Sequence, residues 1–357
     1  MRKIRILYFV ITIILIMQGC SDDINIQGCN DDKKWYRGNT HTHTAFSNHA
    51  FSSPDIAAKW YQEHGYNFLI LSEHNKFVEI ETDKFPEYLQ KEFIFIPGQE
   101  VTGHKTVHTT AMNINRFVPW NFDHINKSVI LQNHVNGIIE AGGQAILNHP
   151  NYRYAVTAEN ISSVKNLYMF ELFNGNPVTN NFGDNEHSST EDIWDQLLTK
   201  GMLIYAVASD DARQFEIFAD YMSNPGRGWV MVHSSKLEAD EIVTAMVKGD
   251  FYSSSGVFLK TNDRHSDAYI IEVDEKKTEE ELSQDYIRGN QIEKGTEGYK
   301  IEFIGANGEI LKAINTTKGI YRIKKSDVYV RAKVTYTRMH QDGGYEEFYA
   351  WGQPVFK

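Results

Sequence analysis

The chain has 357 residues, with 36 Lys+Arg against 47 Asp+Glu and a formal net charge of −11. At 41% hydrophobic and 13% aromatic it carries enough apolar material for a sizeable core, which excludes global disorder. The acidic balance argues against a nucleic-acid surface, which needs excess Lys and Arg, and two cysteines cannot build a disulfide scaffold.

Residues 1–20 read as a secretory signal. Arg2, Lys3 and Arg5 precede an apolar run over 6–17 that is short for a membrane span. The run leads into Gln18-Gly19-Cys20, which resembles a bacterial lipobox, where the cysteine is lipidated and becomes the new N-terminus. This predicts a cell-envelope lipoprotein, at the outer membrane or facing the cell surface, held to the membrane only through lipid on Cys20. Asp22 and Asp23 resemble the export signal of some surface lipoproteins. Cys29 would then be an unpaired thiol in a polar tether over 21–33.

From 34 to 259, short apolar runs alternate with helical patterns. Strands are predicted over 68–71, 93–96, 145–147, 168–172, 203–207 and 229–232. Helices are predicted over 53–63, 133–141, 190–199 and 237–247. The first opens on Ser53-Pro54, an N-cap and a first-turn proline, and the second stops at Gly142-Gly143. The alternation points to a parallel sheet covered on both faces, either a barrel or a doubly wound sheet. After about Lys260 the pattern becomes all-β, with strands over 269–273, 299–304, 320–323 and 328–336. Asn307-Gly308 and Asp342-Gly343-Gly344 are its turns. Residues 260–357 are therefore expected to form a small, antiparallel, sandwich-like domain. The charged stretch 274–297 reads as an insertion or mobile loop.

Ten of the fourteen histidines lie between His41 and His149. In Thr40-His41-Thr42-His43-Thr44, two imidazoles two residues apart share one face of a strand, and neutral imidazole is the commonest protein metal ligand. The other predicted strands run into Glu73-His74, Gln99-Glu100, Asn148-His149 and Asp210-Asp211. In a parallel barrel the active site lies at those strand ends. Burying so many polar groups without partners would cost several kcal/mol, and metal ions are the partners that His, Glu and Asp share.

These motifs resemble those of the polymerase-and-histidinol-phosphatase (PHP) superfamily. The matching pieces are Gly38 to Thr44, Leu71-Ser72-Glu73-His74-Asn75, Gly98-Gln99-Glu100-Val101-Thr102, His108, Asn148-His149-Pro150, Glu171 to Gly175 and Ala208 to Ala212. Residues 226–257 and 350–356 also resemble the end of that domain in secreted members and the β module that often follows. The resemblance implies a distorted (β/α)7 TIM-like barrel over 34–259. It implies two or three divalent cations, zinc, manganese or iron. His41, His43 and Asp211 would hold one, Glu100 would bridge two, His108 and His149 would complete the second, and His74 would face a third. His104 competes with His108, and Asp210 with Asp211. Two positions depart from the family. Asn48 stands where aspartate is frequent, with His49 beside it, and Arg213 stands where the Asp-x-His histidine is expected. Arginine stays protonated and cannot ligate in the ordinary way. Arg213 is therefore expected in the third ion's region, where it would clamp a phosphate or carboxylate, or else simply pair with a local carboxylate.

The resulting expectation is a metal-dependent hydrolase of phosphate mono- or diesters, acting on a small-molecule or glycan-linked substrate. Gly-x-Ser-x-Gly and the P-loop pattern are absent. Two other readings stand beside it: hydrolysis of a non-phosphate ester or amide, and a non-catalytic binding lipoprotein with a degenerate site. His74 and Arg213 are the candidate catalytic residues, with His187 a second proton donor. Asn148, Glu171 and Asn174 are candidates for orienting ligands, and Glu171 reads equally as a buried structural acid. Phe46, Phe51 and Phe77 would suit a large or sugar-bearing substrate. Tyr349 and Trp351 are expected in the core.

Overall fold

Strand β1 (Lys34–Asn39), helix α1 (Pro54–Glu63), β2 (Phe68–Ile70) and β3 (Ile94–Ile96) open the fold, and the three strands pair in parallel. Pro97 has no N–H to continue the ladder. The chain re-enters as β4 (Gly98–Thr102), which belongs to a different sheet. A Cβ at position 98 would lie 2.5 Å from Ile70 Cγ2, so this close approach requires glycine. The 103–107 connection is too short for a crossover, and β5 (His108–Met112) therefore pairs antiparallel to β4. Helix α2 (Lys127–Glu140), capped by Asn126, leads to β6 (Gln144–Leu147), also antiparallel to β5. Crossovers through α3 (Ala158–Ser162) and α4 (Thr190–Thr199) make β6, β7 (Met169–Asn174) and β8 (Tyr205–Ser209) parallel. Strand β9 (Trp229–Ser234), helix α5 (Ala239–Val247) and β10 (Phe251–Ser254) complete this part, with β9 antiparallel to both β1 and β10.

The remaining elements are β11 (Leu259–Arg264), β12 (Ala268–Val273), α6 (Glu275–Leu282), β13 (Gly298–Ile304), β14 (Ile310–Ile314), β15 (Lys318–Arg322), β16 (Tyr329–Met339) and β17 (Tyr345–Phe356). This computed structural model describes residues 32–47, 49–80, 86–87, 92–120, 125–284, 286–287 and 292–357. The predicted signal, Cys20, Asp22, Asp23, Cys29 and Asn48 lie outside them. No helix among the described residues is long and apolar enough to cross a membrane.

The expected mixed α/β architecture is present, but the ladders form three sheets: β14-β13-β16-β17-β10-β9-β1-β2-β3, β4-β5-β6-β7-β8, and β11-β12-β15. The all-parallel expectation fails at β4–β5–β6 and at β1–β9–β10, where short connections or a returning strand impose antiparallel pairing. Among the described residues no continuous backbone ladder closes a barrel. The first two sheets meet through single bridges, Thr42↔Ala212 and His74↔Glu100. Below them the seam beside β8 is joined by side chains. Ser253 Oγ accepts from Ala208 N and donates to Ala206 O, while the Gln353 amide bonds both Ala206 N and Ala206 O.

Strands expected as a separate module continue the first sheet through the β10–β17 pair, Tyr252↔Gly352 to Ser254↔Ala350. The stretch expected as an insertion or mobile loop contains helix α6, whose Glu281 is buried and takes Arg37 of β1 in two bonds of 3.0 and 2.6 Å. The Arg37 guanidinium also lies 4.0 Å from the Tyr66 ring centre and 3.9 Å from that of Trp229. On the other flank, Arg331 of β16 bonds Asp195 twice at 2.7 Å, and Lys333 and Trp351 reach Glu191 of α4. Tyr349 and Trp351 are buried, as expected.

Removing one partner of a buried ion pair strands the other. Glu281→Ala should therefore lower stability by about 3–5 kcal/mol, read from urea unfolding. Burial alone would raise the Glu191 carboxyl, but Arg331 and Lys333 outweigh it and hold it below its usual 4.5. A depressed carboxylate stabilises the fold above its unfolded pKa and loses that contribution as pH falls through the folded value. The melting temperature should therefore fall more steeply below about pH 5 in the wild type than in Glu191→Gln.

Candidate metal centre

The His-x-His segment leaves β1 and continues as extended chain between two neighbours. His43 N donates to Ala212 O, and Ser72 N donates to Thr42 O. His41 and His43 thereby face inward with their Nε2 atoms 3.2 Å apart. Glu100, on β4, is completely buried at the centre. Its Oε1 lies 3.5 Å from His41 Nε2, 3.4 Å from His149 Nε2 and 3.2 Å from His108 Nδ1. Its Oε2 lies 2.6 Å from His74 Nδ1 and 3.6 Å from His43 Nε2. Asp211 Oδ1 closes the opposite side, 3.2 Å from His43 Nε2 and 3.6 Å from His41 Nε2. The structure thus brings together His41, His43, His74, Glu100, His108, His149 and Asp211, all seven sequence-predicted ligands.

These atoms form three overlapping groups that could each hold an ion: His41, His43 and Glu100; His41, His149 and Asp211; and His74, Glu100 and His108. Imidazole nitrogens with carboxylate oxygens are the donor set of zinc, manganese and iron sites. Glu100 Oε2 and the Nδ1 atoms of His43, His108 and His149 are buried without a hydrogen bond of normal geometry. Orphaned lone pairs beside converging ligands fit cations. The donor set and the orphaned atoms both support a metal centre.

The electrostatics are those of a cluster holding its carboxylates ionised. Burial pushes Glu100 upward, but His74, His41 and His108 outweigh it and hold the carboxyl well below the usual range. Burial likewise opposes Asp211, and His41 and Arg213 win. Among the imidazoles, burial drives His43 down to about 3. His41 is held well above its ordinary value, because Asp211, Glu171 and Glu100 overcome burial.

Supporting bonds aim the ligands. Asn148 Nδ2 donates to Glu100 Oε1 at 3.0 Å, and Asn176 Nδ2 to Asp211 Oδ2 at 3.1 Å. Thr102 Oγ1 lies 2.6 Å from His74 Nδ1. Glu73 accepts from Thr44 N at 2.8 Å and Thr44 Oγ1 at 2.5 Å, pinning the residue next to His43. Two of the ligands carry left-handed backbone, His149 (φ 25°) and Asp211 (φ 48°), a strain the surrounding bonds must hold.

Asp210 and Asp211 divide their roles. Asp210 accepts from Asn39 Nδ2, Tyr61 OH and the backbone N–H groups of Gly226, Arg227 and Gly228, outside the histidine cluster. The His104 side chain is outside the described residues. His49 is a neighbour of His74, with ring centres 5.0 Å apart. His187 is on the surface, bonded to Asp184 and stacked 3.8 Å from the Tyr154 ring. Arg213 donates from Nε and Nη2 to Asp211 Oδ1 at 3.3 and 3.1 Å. Phe46 and Phe51 are exposed, and Phe77 packs against the core. Sequence reasoning missed Tyr61 and Asn176 as supports, since neither carries a local pattern and each acts across the fold, and it quoted Glu73 and Thr102 within motifs without assigning them a supporting role.

No family model matches the chain, and no curated protein matches it. Among solved structures it aligns with a two-domain protein from Bacteroides vulgatus containing a predicted PHP-like metal-dependent phosphoesterase. The identity is 12%, the alignment covers 92% of this chain and 96% of the other, and the TM-score is 0.48. A likeness at that level identifies neither family nor activity.

The two aspartates are separable by experiment. Asp211→Asn should lose most of the bound metal, read by mass spectrometry. Asp210→Asn should keep the metal and lose about 2–4 kcal/mol in urea unfolding, because an amide meets donors where a carboxylate accepted them.

Proposed function

We propose that the chain is a metal-dependent hydrolase of phosphate esters, mono- or diesters, on a distorted PHP-type barrel, carried at the cell envelope by lipid on Cys20. The observation that carries this reading is the distribution of exposure. The carboxylates of Glu100 and Asp211 are 0% and 2% exposed, whereas His108 is 13%, His74 17% and Arg213 30% exposed. An incoming group meets imidazoles and a guanidinium before any carboxylate, which suits an anion. Asp211 occupies one edge of Arg213, and among the described residues Nη1 has no hydrogen-bond partner. That group is free to hold a phosphoryl oxygen.

Two divalent ions held by His41, His43, Glu100, His108, His149 and Asp211 would supply Lewis acidity and acidify a water near neutral pH. Arg213 binds and orients the anion, and Asn148 and Asn176 keep Glu100 and Asp211 aimed. His74 stands at the mouth and moves the proton to the leaving oxygen.

Metal content by mass spectrometry, on protein lacking residues 1–20, tests the reading. About two equivalents are expected, largely lost in His43→Ala, with turnover of a phosphomonoester or diester. Arg213→Gln should keep the metal and raise KM for the phosphoester by roughly tenfold or more. Metal with turnover only of carboxyl esters or amides would favour the other hydrolase. No metal after anaerobic reconstitution with manganese, iron and zinc would leave a binding lipoprotein.

A further inference from the structure

We infer that Glu171 is the positioning residue of this centre: it sets the ring tautomer of His41 and holds the strained backbone of His149, and binds no ion itself. The inference rests on the metal-centre reading above. Glu171 lies on β7, buried, and each of its oxygens already has two donors. Oε1 lies 2.7 Å from His41 Nδ1 and accepts from Ser209 Oγ at 2.5 Å. Oε2 accepts from His149 N at 2.6 Å and from Asn174 Nδ2 at 2.8 Å. A carboxylate has about four lone-pair positions, so none is left for a cation. Glu171 also belongs to none of the three converging groups.

Its four donors come from the ends of β1, β6, β7 and β8. Ionised Glu171 only accepts, so the nitrogen it faces on His41 must carry the proton. Nδ1–H leaves the lone pair on Nε2, the atom turned toward Glu100 and Asp211. His41 is common to two of the three groups, and His149 belongs to one of those two, while His74, Glu100 and His108 form the third without either. Glu171 therefore governs the first two groups and leaves the third untouched.

Glu171→Gln is nearly isosteric and makes a directional prediction. The amide has one accepting and one donating end. The backbone N–H of His149 cannot turn away, so the amide oxygen must face it. The NH2 then faces His41 and Ser209. The Ser209 hydroxyl can rotate to accept, and His41 can accept at Nδ1 only by moving its proton to Nε2. That removes the lone pair from the ion side.

The test is long-range proton–nitrogen correlation NMR on chelator-treated protein labelled with 15N-histidine, at a pH alkaline enough that the His41 ring carries a single proton, with His41 assigned by His41→Gln. The wild type should show His41 protonated at Nδ1, and Glu171→Gln should show it protonated at Nε2. Zinc affinity, read by chelator competition, should weaken about 10–100-fold in Glu171→Gln. Asn174→Ala removes one donor without a donor clash, and should leave both the tautomer and zinc affinity nearly unchanged. A wild-type His41 protonated at Nε2 would overturn the inference, even if Glu171→Gln fails to fold. So would a Glu171→Gln protein with unchanged tautomer and zinc affinity. A wild type that binds no metal would sink the metal-centre reading, while the tautomer still decides the role of Glu171.

Discussion

One completely buried carboxylate organises this molecule. Glu100 touches five histidines, and those histidines arrive from the ends of β1, β2, β5 and β6. A carboxylate with no solvent needs compensating charge or donors. The strand ends that touch it accordingly deliver imidazoles and, through Asn148, an amide. The single bridges His74↔Glu100 and Thr42↔Ala212 join two sheets that no continuous ladder joins. They do so at the level of the cluster, so the chemistry and the closure of the fold are the same contacts.

The rest of the fold supplies rigidity to that ring. Side chains of Ser253 and Gln353 make the bonds that a neighbouring strand would otherwise make to β8. Gln353 lies on β17, so the last strand of the chain helps to hold the strand that ends beside Asp211. Two buried arginines secure the flanks: Arg37 against Glu281 of α6, and Arg331 against Asp195 of α4. Each buried charge is satisfied in more than one bond, the condition under which such pairs are tolerated inside a protein. The C-terminal strands are thereby continuous with the sheet that carries His41.

Much of the site was legible from residue type and position alone. An apolar run long enough to be buried, followed at once by His, Glu or Asp, marks a strand that ends in a polar centre. Four of the seven expected ligands, His74, Glu100, His149 and Asp211, follow such runs in the sequence; His41 and His43 stand out as a His-x-His pair, and His108 opens β5. The supporting residues were not legible in the same way. Thr102, Asn176 and Tyr61 act on partners far along the chain, and Ser and Thr are too common near strand ends to single out. Parallel and antiparallel pairing was misjudged for a related reason. Apolar content reports burial, whereas direction depends on connection length and on where the next strand finds a free edge.

By itself the sequence determined burial periodicity, helix starts such as Ser53-Pro54, and the chemical identity of the donors, because these depend on local propensity and residue chemistry. Tertiary structure alone decided which aspartate of the Asp210-Asp211 pair faces the histidines. It also decided that Arg213 lies against Asp211 with one edge open, and that Glu171 spends both oxygens on orientation. Neighbouring residues differ by a single backbone step, and one left-handed φ at Asp211 turns its carboxylate into the cluster while Asp210 turns toward five donors. Such choices depend on groups brought close only by folding, so no local pattern encodes them.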